Sequence, residues 1–158
     1  MTTEQSHITP EMRASIGVEG PPRRLEVDRT SIRMFARAVG HIDPVFYDPE
    51  EARRRGYRDI IAPPGYLGTG VFTPAATEEA TPRRRPGGMT RGLNAGNEYE
   101  YLDVITAGDV LEARGRTVDI VERAGSLGPM IITTSETVYT RVSDGKVIAK
   151  GRGTGISY

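Results

Sequence analysis

Apolar residues at Ile32, Phe35, Ala36 and Val39 recur at intervals of three and four, while Arg29, Arg33 and Arg37 occupy the remaining faces. That spacing predicts an amphipathic helix. Asp28 is its N-cap, with Thr30 as a rival, and Gly40 suits the left-handed position at its exit. A second short helix is punctuated by Asp48 as cap, Pro49 at the first position, Glu51 three residues after the cap and Gly56 at the end. Thr9-Pro10-Glu11 marks another short helix near the N-terminus by the same rule. A further helix is expected from Ala62-Pro63-Pro64-Gly65 through Tyr66, Leu67, Val71 and Phe72 to Pro74, because prolines are tolerated only in a first turn. Gly65, Gly68 and Gly70 each weaken it by ~1 kcal/mol relative to alanine, so it requires support from a surrounding sheet.

The period then changes. Arg23 to Val27 reads as a brief strand, and from Leu93 onward four longer segments alternate: Asn97 to Leu102, Val110 to Glu122, Met130 to Val142 and Val147 to Ile156. In the third of these, Ile132, Thr134, Glu136, Val138 and Thr140 share one face, with Ile131, Thr133, Ser135, Thr137 and Tyr139 on the other. Neither face is strongly apolar. Ala124 to Gly128 and Ser143-Asp144-Gly145-Lys146 supply turns for an antiparallel meander, and Gly125 to Pro129 joins strands rather than forming a dinucleotide loop. Residues 75–92 carry no apolar period and read as a loop. Helices first and strands second give an α+β class. The expected division is an N-terminal tail with a short helix over 1–22 and one domain over 23–158.

Composition narrows what such a domain does. At 158 residues and 37% apolar content the chain holds one core. Lys+Arg and Asp+Glu are each 21, which excludes a nucleic-acid binder driven by bulk charge and leaves phosphate recognition to local patches. Cysteine is absent and the histidines are His7 and His41 alone, so disulfides, thiolate chemistry and a histidine-based metal site are not expected. No apolar run of about eighteen residues occurs, and a cytoplasmic, soluble protein is expected.

The segment GHIDPVFYDPEEARRRGYRDIIAPPGYL from Gly40 to Leu67, the preceding IRMFARAVG and the later EYEYLDVITAGDVLEARGRTVDIVERAGSLGPMIITTSETVYT together resemble the MaoC-like family of acyl-thioester hydratases and dehydratases. Phrases such as IIAPP, AGDVL and GPM stand in the order of its N-terminal, FAS1-like dehydratase branch. The resemblance implies a hotdog fold: an antiparallel sheet wrapped around one central helix, here Pro64 to Pro74, and paired with a second hotdog into a dimeric unit. It also implies coenzyme A or an acyl-carrier protein as bearer of the substrate thioester, no separate cofactor, and either a homodimer or a heterodimer with a MaoC-type subunit.

In the catalytic branch the loop resembles G-D-x-N-P-x-H, whose aspartate and histidine handle the protons of reversible water addition to a 2-enoyl thioester. Here it reads Gly40-His41-Ile42-Asp43-Pro44-Val45-Phe46, with His41 at the aspartate position and Phe46 at the histidine position. Phenylalanine transfers no proton. One reading makes the chain a silent subunit that supplies an acyl tunnel, with Phe46 and Tyr47 lining it, while a partner brings the Asp/His pair. A second makes His41 and Asp43 a rearranged acid/base pair in a self-sufficient homodimer, against the alternative that Asp43 only satisfies a local turn. A third is a non-catalytic acyl-CoA-binding protein or a thioesterase on the same scaffold. Gly65 and Tyr66 offer the nearest backbone N–H groups to a developing enolate oxygen, since Pro63 and Pro64 have none. Arg83, Arg84, Arg85 and Arg91 form the candidate phosphate-binding patch, against a solvated loop.

Overall fold

The structure is a computed structural model that describes residues 6–69, 86–126 and 128–158. Helix α1 spans Pro10–Ala14, strand β1 Arg23–Glu26, helix α2 Arg29–Ala38 and helix α3 Pro49–Arg54. Strands β2 (Gly92–Tyr101), β3 (Val110–Gly125), β4 (Gly128–Arg141) and β5 (Val147–Ser157) follow. The anticipated caps are in place. Thr9 Oγ1 accepts from the Met12 N–H, Asp28 from Ser31 and Asp48 from Glu50, so each removes one orphan donor of a first turn. Helix α2 ends two residues before Gly40, which takes φ +77° to turn the chain toward the following loop.

The five strands form one antiparallel sheet in the order β1-β3-β4-β5-β2. Strand β2 begins at Gly92, five residues before the expected Asn97, because its first residues pair with the C-terminal end of β5, Leu93 against Ile156. One side of the sheet carries a row of alternating charge, Arg116, Glu136, Arg152 and Glu98, across β3, β4, β5 and β2. The other carries Ala113, Tyr139, Ala149 and Tyr101 in one row and Thr117, Ser135, Gly153 and Asn97 in another. Burial separates the two sides: Leu111, Ala113, Ile131, Tyr139 and Ala149 are buried, and most join a core with Val27, Ile32, Val45, Ala52, Ile60 and Tyr66. The weak apolarity of β4 is therefore explained by a solvated, charged outer face and an inner face whose distal half is hydroxylic.

Ahead of β1 the chain runs beside β3. Ser6 Oγ donates to Glu122 Oε2 at 2.8 Å, His7 Nδ1 lies 2.7 Å from Glu122 Oε1, and Ile16 and Glu19 bridge to Thr117 and Arg116. Of the helix expected from Pro64 to Pro74, the described part is a single 3-10 turn over Tyr66–Gly68, entered through Gly65 at φ +91°. Residues 70–85, with the rest of that helix, lie outside the described residues.

A loop and a tyrosine cluster as candidate active site

The loop after α2 is built by its own sequence. Asp43 precedes Pro44 and opens a 3-10 turn over Pro44–Phe46, its Oδ1 accepting the Val45 N–H at 3.0 Å. Arg55, at the end of α3, donates Nη1 to Asp43 Oδ2 at 3.0 Å and Nε to Glu51 Oε1 at 2.6 Å. The Val45 N–H first, and the Arg55 guanidinium second, hold the Asp43 carboxyl below the usual aspartate value. This carboxylate is fixed as a turn cap and ion-pair partner, and among the described residues it makes no hydrogen bond to the His41 ring.

His41 is half-buried and hangs from α2 through its N–H, which donates to the Ala36 carbonyl at 2.9 Å. Its ring packs on Phe46 with centroids 5.3 Å apart and planes tilted by 51°, and among the described residues it makes no side-chain hydrogen bond. Tyr47 closes the loop: its hydroxyl donates to the His41 carbonyl at 2.5 Å, and its own carbonyl accepts from Arg33 Nε and Nη2 at 3.0 and 2.8 Å. His41, Phe46 and Tyr47 thus stand together, whereas Asp43 turns to α3.

Gly65 and Tyr66 stand between α2 and the end of β2. The Gly65 N–H donates to Tyr101 Oη at 2.9 Å, and the Tyr66 N–H to the Pro63 carbonyl at 3.2 Å. Both backbone donors singled out for an enolate oxygen therefore have acceptors within the chain. Tyr66 is buried, with its Oη 2.7 Å from Ser31 Oγ, and its ring meets Phe35 edge-on at 6.0 Å. Burial raises the phenols of Tyr66 and Tyr101, and raises Tyr139 to about 12, with the neighbouring Tyr99 adding to the last. These tyrosines remain neutral near pH 7 and act as hydrogen-bonding groups, not bases.

The segment carrying Gly65 is clamped from below. Asp109, buried, accepts from Arg58 Nη2 at 2.7 Å and from the Thr106 N–H at 2.8 Å, while Ala62 N–H donates to the Ile105 carbonyl at 2.8 Å. Arg91 stands elsewhere: its backbone pairs with Tyr158, ahead of the first residue of β2, at the opposite end of that strand from Tyr101. Arg83, Arg84 and Arg85 lie outside the described residues. The arginine triplet on α3 is largely engaged, Arg54 and Arg55 both pairing with Glu51. Sequence reasoning missed Tyr101 and the Asp43–Arg55 pair; the first had a trace in the i, i+2 aromatics Tyr99 and Tyr101, the second none, since it joins a turn to the end of a helix twelve residues on. Among the described residues no cluster of three or more His, Cys, Asp or Glu side chains is placed to hold a metal, and no helix is long and apolar enough to cross a membrane.

Comparison with known proteins agrees with this architecture. Residues 14–150 match the family model described as FAS1-like, dehydratase domain region. A UPF0336 protein of Streptomyces avermitilis is 34% identical over 114 residues, covering 70% of this chain and 74% of the relative. A probable enoyl-CoA hydratase alpha subunit of Thermomonospora curvata is 30% identical over 147 residues, 84% of this chain but 46% of that protein. Among solved structures, a chain of the ChsH1-ChsH2 complex from Mycobacterium tuberculosis superposes with a TM-score of 0.70 at 20% identity, covering 89% of this chain and 88% of its own. A chain of the HadBC (3R-hydroxyacyl-ACP dehydratase) complex from the same organism gives 0.68 at 22% identity, covering 90% and 96%. The likeness to these two structures is one of fold. The chain belongs to the FAS1-like dehydratase domain region family and is a MaoC-like protein of the hotdog fold.

Proposed function

We propose that this chain is the non-catalytic hotdog subunit of a cytoplasmic 2-enoyl-thioester hydratase or 3-hydroxyacyl-thioester dehydratase, paired with a MaoC-type subunit that brings the Asp/His dyad. The observation that carries the reading is the state of the loop: Asp43 is committed to the Val45 N–H and to Arg55, and the sequence resemblance implies that Phe46 takes the place of the catalytic branch's histidine. Proton transfer to or from a substrate needs a group that changes its protonation within hydrogen-bond reach of the reacting atom. His41 alone has the right chemistry, and no carboxylate orients it among the described residues.

A shared site also suits the rest of the molecule. Strand β2 is one of the two edge strands of the sheet, and the longer, and over its ten residues it is exposed except at Tyr99, so it offers an edge to a second sheet. The ChsH1-ChsH2 and HadBC proteins are complexes by their names, which supports a heteromeric assembly here. In that assembly His41, Phe46, Tyr47 and Tyr66 shape one wall of the substrate site, and coenzyme A or an acyl-carrier protein presents the thioester.

The test is hydration of crotonyl-CoA by the purified chain, alone and after addition of a MaoC-type subunit encoded beside it, with native mass measured in parallel. The expected result is no rate above buffer for the chain alone, and turnover together with a heteromeric mass on mixing. Turnover by a homodimer of this chain would overturn the proposal.

A further inference from the structure

On the outer face of the sheet, charge is ordered across the strands. Arg116 on β3, Glu136 on β4, Arg152 on β5 and Glu98 on β2 make one row in register, and Arg114, Val138, Lys150 and Glu100 make the next. Strand by strand, β3 is basic, β4 acidic then apolar, β5 basic and β2 acidic. Beyond the bulge between Thr117 and Asp119 the same face carries an apolar row, Val121, Ile132, Ile156 and Leu93. Every charge of the two rows except Glu136 is exposed, and so are Val138 and Leu93. Within the chain Arg116 pairs with Glu136 at 3.2 Å, and Arg152 approaches the same carboxylate only at 3.9 Å. Glu98, Glu100 and Lys150 form no ion pair among the described residues, although Glu98 stands opposite Arg152 and Glu100 opposite Lys150. The rows border an open groove of about 390 Å³.

Two copies of one sheet face can be laid together about a two-fold axis that runs either along the strands or across them. With the axis along the strands, between β4 and β5, strand order is reversed and position along each strand is kept. Arg116 then meets Glu98 of the second copy, Glu136 meets Arg152 and Arg114 meets Glu100, while Val138 lies under the aliphatic stem of Lys150. The apolar row falls on itself, Ile132 on Ile156 and Val121 on Leu93. No like charges meet in these rows. With the axis across the strands, each strand lies on its own copy, so β3 sets arginine against arginine and β2 glutamate against glutamate. Stacked sheets sit about 10 Å apart with strands crossing at about 30°, an offset that Arg and Glu side chains span.

We infer that the outer face of the sheet is a docking surface for a second copy of this chain, joined about a two-fold axis parallel to the strands. The apolar row contributes burial and the charged rows fix the orientation, since exposed ion pairs add little affinity whereas opposed like charges are costly. Strand β2 lies over β3 of the other copy and keeps its backbone edge open to the side. The stacking therefore coexists with the edge pairing proposed above and does not depend on it.

The test is sedimentation velocity of the full chain over a concentration series, with Arg116→Glu and Glu98→Lys made separately. The parent is expected to self-associate, and each variant alone to weaken the outer-face step roughly tenfold or more, because a symmetric stack repeats the like-charge contact. An equimolar mixture of the two variants is expected to recover parental association: Arg116 of one copy meets Glu98 of the other, and the reversed pair meets at the second contact. Pairing through the β2 edge gives no such recovery, since β3 lies at the far side of the sheet from that edge. The chain has no cysteine, so Leu93→Cys and Val121→Cys copies give a second reading. A bismaleimide reagent spanning about 10 Å is expected to join the two when mixed and neither alone. A monomeric parent, or a mass that neither reversal changes, overturns the inference. Where the reversals lower the mass and mixing does not restore it, absence of the cross-link overturns the inference and its presence upholds it.

Discussion

Asp43 shows how one residue separates two functional readings. An aspartate beside a histidine in sequence suggests an acid/base pair, yet here the carboxylate is held by the Val45 N–H at 3.0 Å and by Arg55 at 2.9 Å. Its pKa lies below the ordinary 3.8, so it contributes stability that is present above that value and lost as pH falls through the lower, folded-state value. Replacing Asp43 with Ala is expected to lower the thermal midpoint at pH 7, with a difference from the parent that shrinks progressively below about pH 4. Thermal melts of both proteins across that range check it; a difference independent of pH would remove the ionised carboxylate from the account. His41 is a different case: among the described residues its ring meets Phe46 at 5.3 Å without a side-chain hydrogen bond, and its backbone bonds Ala36 and Tyr47. A residue held by packing can shape a wall, and among the described residues no hydrogen bond orients its imidazole.

At the scale of elements, the loop and the Gly65 turn are positioned by a clamp at the start of β3. Asp109 joins Arg58 at 2.7 Å and the Thr106 N–H at 2.8 Å, and Arg141 Nε lies 3.4 Å from its Oδ1, an ion-pair distance without hydrogen-bond geometry. Asp109→Ala would leave the buried Thr106 N–H without its acceptor, remove the partner of Arg58 and take one of three carboxylates from Arg141, which keeps Asp103 and Asp144; a loss of ~2 kcal/mol in urea denaturation is expected. A loss below ~1 kcal/mol would reduce the clamp to a surface ion pair. The helix starts were legible because caps are local: Thr9, Asp28 and Asp48 each bond a donor two or three residues on. Strand cores and turns were legible for the same reason, from alternation and from Ser143 to Lys146. Long-range features were not. The early start of β2 depends on β5, the bulge at Thr117 on β4, and the Gly65–Tyr101 bond on two segments 36 residues apart. The candidate site was thus found by its loop, while Tyr101 and Arg55, which fix its geometry, emerge only from tertiary contacts.

The whole molecule reads as an asymmetric partner. Its outer sheet face is charged and alternating in sign, its inner face carries Tyr139 and Tyr101 in one row and Ser135 and Asn97 in another, with Arg23 and Glu122 on the same side, and its outermost long strand is exposed. Under the proposed function those features would serve as a substrate-shaping wall and an edge for assembly, and in the loop between α2 and α3 both aspartates are committed, Asp43 to Val45 and Arg55 and Asp48 to Glu50. Under the proposed function, the chemistry would reside in a partner subunit and this chain would contribute to substrate binding. The measurement that addresses this most directly is the crotonyl-CoA hydration rate of the reconstituted pair with His41→Ala in this chain. The account predicts a kcat within about threefold of the parent, since less than ~1 kcal/mol of barrier rests on that side chain. A fall of a hundredfold or more, the scale at which general acid–base catalysis contributes, would place His41 in the reaction and contradict the account.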